Sequence, residues 1–230
     1  LQQGINLEAD LNFEASEIDF TKKQPLRNYS GDYYRYLGEK LPYLVGGTAD
    51  LSASTRINLD QYSDIQKDNF KRRNIKFGVR EHAMAAAAGG IMLHRGLRPV
   101  TATYLTFSDY MKPAIRMAAL MELPLIYVFT HDSIYVGEDG PTHQPVEQLE
   151  ALRMVPGLRV IRPANGREVK LAWQAAVKER EKPTALVMAR QETESYDKKI
   201  KEEEFNRGAF VVSEEKGAEI ALIASGTEVE

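Results

Sequence analysis

From residue 74 to residue 189 short apolar runs alternate with longer segments of helical period. Residues 74–79, 98–104, 124–129, 158–162 and 184–189 read as strands, and residues 80–93, 108–121, 145–154 and 165–180 as helices. A strand that reaches the next strand through a helix must lie parallel to it, and a parallel sheet has to be covered on both sides. The expected fold class is therefore α/β, a parallel sheet with helices on both faces. Upstream, YLVGG at 43–47 offers a further strand ending in a glycine turn. Residues 30–40 read as a helix with Ser30 as its N-cap. Residues 58–73 read as a surface excursion in which the basic run Lys71-Arg72-Arg73 is solvated.

Open parallel sheets build their sites beyond the C-terminal ends of the strands. The richest such end is THDSIYVGEDGPTHQP, residues 130–145, which sets two histidines, three acidic residues and two glycines directly after an apolar strand. Other strand ends offer Asp50, Ser52 and Ser54, Glu81, the series Tyr104, Phe107 and Tyr110, and Arg190. Each has an ordinary structural explanation when taken alone. Glu81 suits the first turn of a helix for its dipole, the aromatics suit a core, and Arg190 suits a carboxylate partner. His131 and His143, even with Asp132 or Asp139, match no metal-ligand spacing, so no metal site is expected on this chain.

Composition narrows the function classes. Lys and Arg total 30 against 33 Asp and Glu, for a net charge of -3, so nucleic acid and membrane surfaces lack an electrostatic footing. No cysteine is present, which fits a reducing, cytoplasmic setting. The expected organisation is a linker or arm over 1–26, a main domain over 27–191, a charged linker over 192–207, and the start of a second α/β domain over 208–230, with strands at AFVV and IALIA. Both ends read as cut from a longer chain. The helix at 80–93 carries Ala83, Ala85 to Ala88, Gly89 and Gly90, small residues that let another backbone approach, either its own sheet or another subunit.

Taken in order, GGTADLSAS, FGVREHAM, the Tyr104/Phe107/Tyr110 series, THDSIYVGEDGPTHQPVEQL, RPANGREV and ARQ resemble the middle, pyrimidine-binding domain of transketolase over residues 27–191. The tail from Gly208 resembles the start of that family's C-terminal domain.

The resemblance implies transfer of a two-carbon ketol unit from a ketose phosphate to an aldose phosphate, in the pentose phosphate pathway, with thiamine diphosphate as cofactor. Glu81 matches the glutamate that hydrogen-bonds the coenzyme's aminopyrimidine and so activates it. Phe107 matches the aromatic that stacks on that ring, with Tyr104 and Tyr110 walling the same pocket and Asp50 beside it. On the substrate side, His131 and His143 match histidines that contact the sugar, His143 among the catalytic residues, and Asp139 matches an acid that reads a chiral hydroxyl. Arg27, Ser54 and Arg190 match the phosphate-binding positions. Tyr135 stands where many members have a small residue, which bears on the width of the channel. The GDG motif that anchors diphosphate and a divalent metal, Mg2+ or Ca2+, is absent from these 230 residues. That half of the site is expected on an N-terminal domain, from the other subunit of a homodimer, and the isolated chain is expected to be inactive. Deoxyxylulose phosphate synthase, dihydroxyacetone synthase and 2-oxoacid dehydrogenase β subunits are the rival readings among enzymes, and a catalytically silent fragment is the rival outside them.

Overall fold

The computed structural model describes residues 17–230. Of the arm expected over 1–26, residues 1–16 lie outside the described residues.

Six strands form one parallel sheet: β2 (Leu44–Thr48), β3 (Asn74–Lys76), β4 (Arg98–Tyr104), β5 (Ile126–Thr130), β6 (Arg159–Ile161) and β7 (Thr184–Met188). Their spatial order is β3-β2-β4-β5-β7-β6. Every pairing in it is parallel. A two-stranded antiparallel ribbon, β1 (Gln24–Pro25) with β8 (Glu192–Thr193), ties the start of the main helical layer to the stretch read as a linker.

The helices divide between the two faces, and the strands show why. In β5, Ile126 and Val128 point into one core while Tyr127 and Phe129 point into the other; in β7, Leu186 and Met188 oppose Ala185 and Val187 in the same way. The first core is closed by α1 (Leu26–Lys40) and α6 (Gly166–Lys178), through Tyr29, Tyr33, Leu37, Val169 and Trp173. The second is closed by α3 (Glu81–His94), α4 (Ser108–Leu120) and α5 (Gln148–Arg153), through Met84, Ala88, Met111, Ile115 and Leu152. A short α2 (Ser52–Thr55) follows β2, and α7 (Glu202–Asn206) lays Phe205 on the first core. No helix among the described residues is long and apolar enough to cross a membrane.

Two glycines show how tightly the sheet is built. A Cβ on Gly47 would stand 1.9 Å from the carbonyl oxygen of Ile75, and one on Gly46 would stand 2.3 Å from the Tyr34 hydroxyl. Only glycine admits both neighbours.

Four local expectations are corrected. Ser30 is not an N-cap: Pro25, with φ of -57°, already opens the helix, and Ser30 lies buried inside it, accepting a hydrogen bond from Trp173 Nε1 at 3.0 Å. Arg73 is not solvated. Its guanidinium is buried and donates to the carbonyls of Leu44, Gly38 and Leu41, the last two at the C-terminal end of α1, while stacking on Tyr62. The helix expected from Pro145 begins at Gln148, whose Oε1 accepts from the Val146 amide. The strands expected at AFVV and IALIA do not form, and Ile220, Leu222 and Ile223 stand exposed.

Candidate active site

Because β2, β4, β5 and β7 run parallel, their C-terminal ends share one edge. The register sets Tyr104 opposite Thr130, and Thr130 opposite Met188, so the residues that follow each strand emerge side by side. The chain leaves β4 through a single 3-10 turn, Leu105–Phe107, which swings Phe107 and then Tyr110 of α4 toward the same edge. The rings of Tyr104 and Phe107 lie 5.8 Å apart and nearly parallel, with Tyr110 6.3 Å from Phe107. Tyr104 is buried and Tyr110 largely exposed, so this aromatic row runs from the core to the surface.

His131 stacks on Tyr104 with ring centroids 3.7 Å apart. Its φ of 58° is left-handed, an uncommon conformation for a residue with a Cβ. Arg27 Nη1 lies 3.3 Å from His131 Nε2. A guanidinium can only donate, so Nε2 is the acceptor and the ring proton sits on Nδ1, which donates to Thr130 Oγ1 at 2.9 Å. Burial, reinforced by Arg27, Arg190 and His143, lowers the His131 pKa to about 3. The imidazole is therefore a neutral, oriented group.

His143 reaches the same place from the far side of the loop. Turns closed by Gly140 N to Gly137 O and His143 N to Gly140 O, with both glycines at positive φ, bring its ring edge-on to Phe107 at 5.2 Å and to Tyr104 at 5.9 Å. Thr142 Oγ1 lies 2.8 Å from His143 Nδ1. Each histidine is thus oriented by the threonine that precedes it. That pattern is visible as two Thr-His pairs in the sequence, and sequence reasoning missed it.

Arginines gather beside His131. The Arg27 amide donates to Ala189 O at 3.2 Å, which fixes the first turn of α1 at the end of β7 and next to Arg190. Arg27 Nη1 also donates to Ser54 O at 3.1 Å, bringing in α2. Arg190 donates to Val136 O and pairs with Glu138. Burial first, then the nearby charges of Arg190 and Arg56, lower the Arg27 pKa, and Arg27 Nε is buried without a partner among the described residues. Arg56 was not singled out from the sequence. Asp139 is exposed but within electrostatic reach of Arg27.

The structure therefore brings together Arg27, Ser54, Tyr104, Phe107, Tyr110, His131, Asp139, His143 and Arg190. Asp50 and Glu81 lie beyond the ends of β2 and β3 on the same edge, but no ring contact, hydrogen bond or ion pair among the described residues joins them to the group. Glu81 is half-buried at the first position of α3, its carboxylate without a partner among the described residues. Tyr135 is exposed at the loop surface. Among the described residues no three His, Cys, Asp or Glu side chains are grouped to hold a metal.

Residues 22–195 match the family model of the transketolase pyrimidine binding domain. The chain is 42% identical to a transketolase of Aquifex aeolicus, over 100% of this chain and 34% of the relative. It is 49% identical to a transketolase of Bacillus subtilis, over 88% of this chain and 31% of the relative. A crystal structure of a Pichia stipitis transketolase in complex with sedoheptulose 7-phosphate superposes with a TM-score of 0.87 at 34% identity, covering 90% of this chain and 32% of that one. The chain spans about a third of the length of the relatives it matches. With the family model covering most of its length and these relatives aligned across nearly all of it, the chain belongs to the transketolase family, as a pyrimidine-binding domain.

Proposed function

We propose that this chain provides the pyrimidine-binding and sugar-phosphate-binding side of a transketolase active site, for transfer of a two-carbon ketol unit from a ketose phosphate to an aldose phosphate. The observation that carries this reading is an aromatic row set beside an arginine cluster with too few carboxylates. The charges of Arg190 and Arg56 both act against that of Arg27, and Glu138 is the acidic side chain paired with any of the three among the described residues. A phosphate dianion would relieve that repulsion and take the free Nε–H of Arg27.

The residues fit thiamine diphosphate at its pyrimidine end. Phe107, flanked by Tyr104 and Tyr110, offers a ring face for stacking, and the unpaired Glu81 carboxylate offers an acceptor for a ring N–H. When bound, thiamine diphosphate supplies the carbon that carries the ketol unit. The neutral His131 imidazole can hold a sugar hydroxyl, His143 can hold another and move a proton there, and exposed Asp139 can accept from a further one. Ser54, on the turn that Arg27 grips, adds a hydroxyl to the phosphate end. Asp50, which leaves β2 at a φ of 63°, belongs to the coenzyme side in this reading.

Diphosphate and its Mg2+ or Ca2+ would be held by residues outside this chain. A homodimer fits the outer face of α3 and α4, where Ala83, Ala86, Ala87, Gly90, Met117 and Leu120 are exposed together. We place the main domain at 27–191 and the beginning of the next at 208–230, in an enzyme of the pentose phosphate pathway working in the cytoplasm.

The test is a donor comparison with thiamine diphosphate and magnesium, on the polypeptide that joins this chain to a diphosphate-binding domain. Transfer to ribose 5-phosphate from xylulose 5-phosphate, with pyruvate inert, is expected. Pyruvate as the working donor would move the chain to another thiamine-dependent activity.

A further inference from the structure

Arg162, just past the end of the edge strand β6, reaches across the end of β7 to the loop that follows β5. Its Nε donates to Asp132 Oδ2 at 2.8 Å. Its Nη1 donates to Ser225 O at 2.7 Å, and its Nη2 donates to Glu228 Oε1 at 3.0 Å. The Asp132 and Arg162 side chains are only 1% and 7% exposed, whereas Glu228 is 46% exposed. One guanidinium thus joins two carboxylates from distant parts of the chain, using the forked donor set that lysine lacks.

The approach of the C-terminal segment is close on the backbone as well. Gly226 N donates to Arg162 O at 3.2 Å, and a Cβ on Gly226, whose φ is 66°, would stand 2.6 Å from the guanidinium. Residues 225–228 therefore grip both the main chain and the side chain of Arg162. On its other side, Asp132 follows His131, whose left-handed backbone needs support from the structure around it. Thr130, Tyr104 and Arg27 hold the ring, and Asp132 holds the following peptide through Arg162.

We infer that Arg162 is a positioning residue that ties residues 225–228 to the His131-Asp132 step, so that docking of the segment after the pyrimidine domain sets the orientation of the sugar-facing histidine. Its effect on catalysis rests on the role proposed for His131; the tie itself does not. The salt bridge is buried on the Asp132 side and half-open on the Glu228 side, so the two halves can be cut separately.

The experiment uses the complete enzyme carrying this chain, with the variants Arg162→Gln, Glu228→Gln, His131→Ala and the doubles with His131→Ala. Glu228→Gln changes a half-exposed carboxylate and keeps the buried pair, so it carries the test if Arg162→Gln does not fold. Arg162→Gln is expected to raise the donor KM about tenfold and Glu228→Gln about threefold, with coenzyme affinity held within about twofold, and each effect should shrink below about twofold in the His131→Ala background. The imidazole NMR signals of 15N-labelled His131 should shift in both single variants. Equal effects with and without His131, or a His131 signal unmoved by cutting the tie, would overturn the inference. If His131→Ala alone leaves the donor KM unchanged, the sugar-binding role of His131 fails, and the NMR signal still decides the tie.

Discussion

The imidazole of His131 lies on the phenol ring of Tyr104 with centroids 3.7 Å apart and planes at 28°. This stack joins the end of β4 to the end of β5 and leaves Nε2 facing Arg27. Burial disfavours a charged ring first, and a protonated ring would also face the charges of Arg27 and Arg190, so the neutral form is favoured.

The first prediction follows from that lowered pKa. The unfolded chain takes up a proton on His131 as pH falls through 6.5, while the folded chain resists until about 3. The unfolded state binds more protons in this window, so the His131 contribution to stability is complete above pH 6.5 and is lost progressively down to about pH 3. His131→Asn should therefore flatten the acid limb of stability, read as denaturant midpoints between about pH 7 and pH 4. An acid limb identical to that of the parent protein would contradict the assignment.

The arginine cluster gives the second. Arg27→Gln or Arg190→Gln should raise the KM for phosphorylated donors by about tenfold to a hundredfold, one lost charge-assisted interaction. The KM for an uncharged, unphosphorylated ketose such as fructose should move far less. Equal losses on both donor classes would remove these arginines from phosphate binding.

The sheet supplies a third, independent of function. Gly47→Ala drives a methyl group into the Ile75 carbonyl, a contact with backbone on both sides that cannot relax by a rotamer change. A loss of about 3 kcal/mol or more, or failure to accumulate as soluble protein, is expected. A midpoint within error of the parent would show that β2 and β3 can separate locally.

A fourth concerns Arg73. It crosses from a basic run to the C-terminal carbonyls of α1, and Arg73→Lys keeps the charge but not the fork. A destabilisation of about 1 to 3 kcal/mol is expected by chemical denaturation. Changing the neighbouring exposed Lys71 to Gln should cost less than about 0.5 kcal/mol. Equal effects would return Arg73 to the surface.

Much of the fold was legible because strands buried on both sides leave a simple trace. Ile126 and Val128 serve one core and Tyr127 and Phe129 the other, so the run reads apolar throughout, and the helices between such runs force parallel order. What periodicity could not show was which polar residue turns inward. Arg73 looked like its neighbours, and only the carbonyls of Gly38, Leu41 and Leu44, distant in sequence, explain its burial. Ser30 was misread because capping preference was weighed and the proline five residues earlier was not. The segments at 209–212 and 220–224 have strand-like composition, yet neither pairs with any strand among the described residues. At the site, residue identities were readable, but the couplings were not. That Thr130 and Thr142 orient the histidines, that Arg56 crowds Arg27, and that Arg162 reaches Asp132 are facts of tertiary approach.

The central claim, that this chain carries the coenzyme-activating side of a ketol-transfer site, turns on Glu81, whose half-buried carboxylate has no partner among the described residues. The measurement that tests it most directly is thiamine diphosphate-dependent transfer from xylulose 5-phosphate to ribose 5-phosphate, comparing the complete protein with its Glu81→Gln variant. Transfer by the parent and a fall in kcat of about a hundredfold to ten-thousandfold in the variant, with an unchanged melting temperature, is the expected result. An inactive parent protein, or a variant that turns over as fast as the parent, would contradict the account.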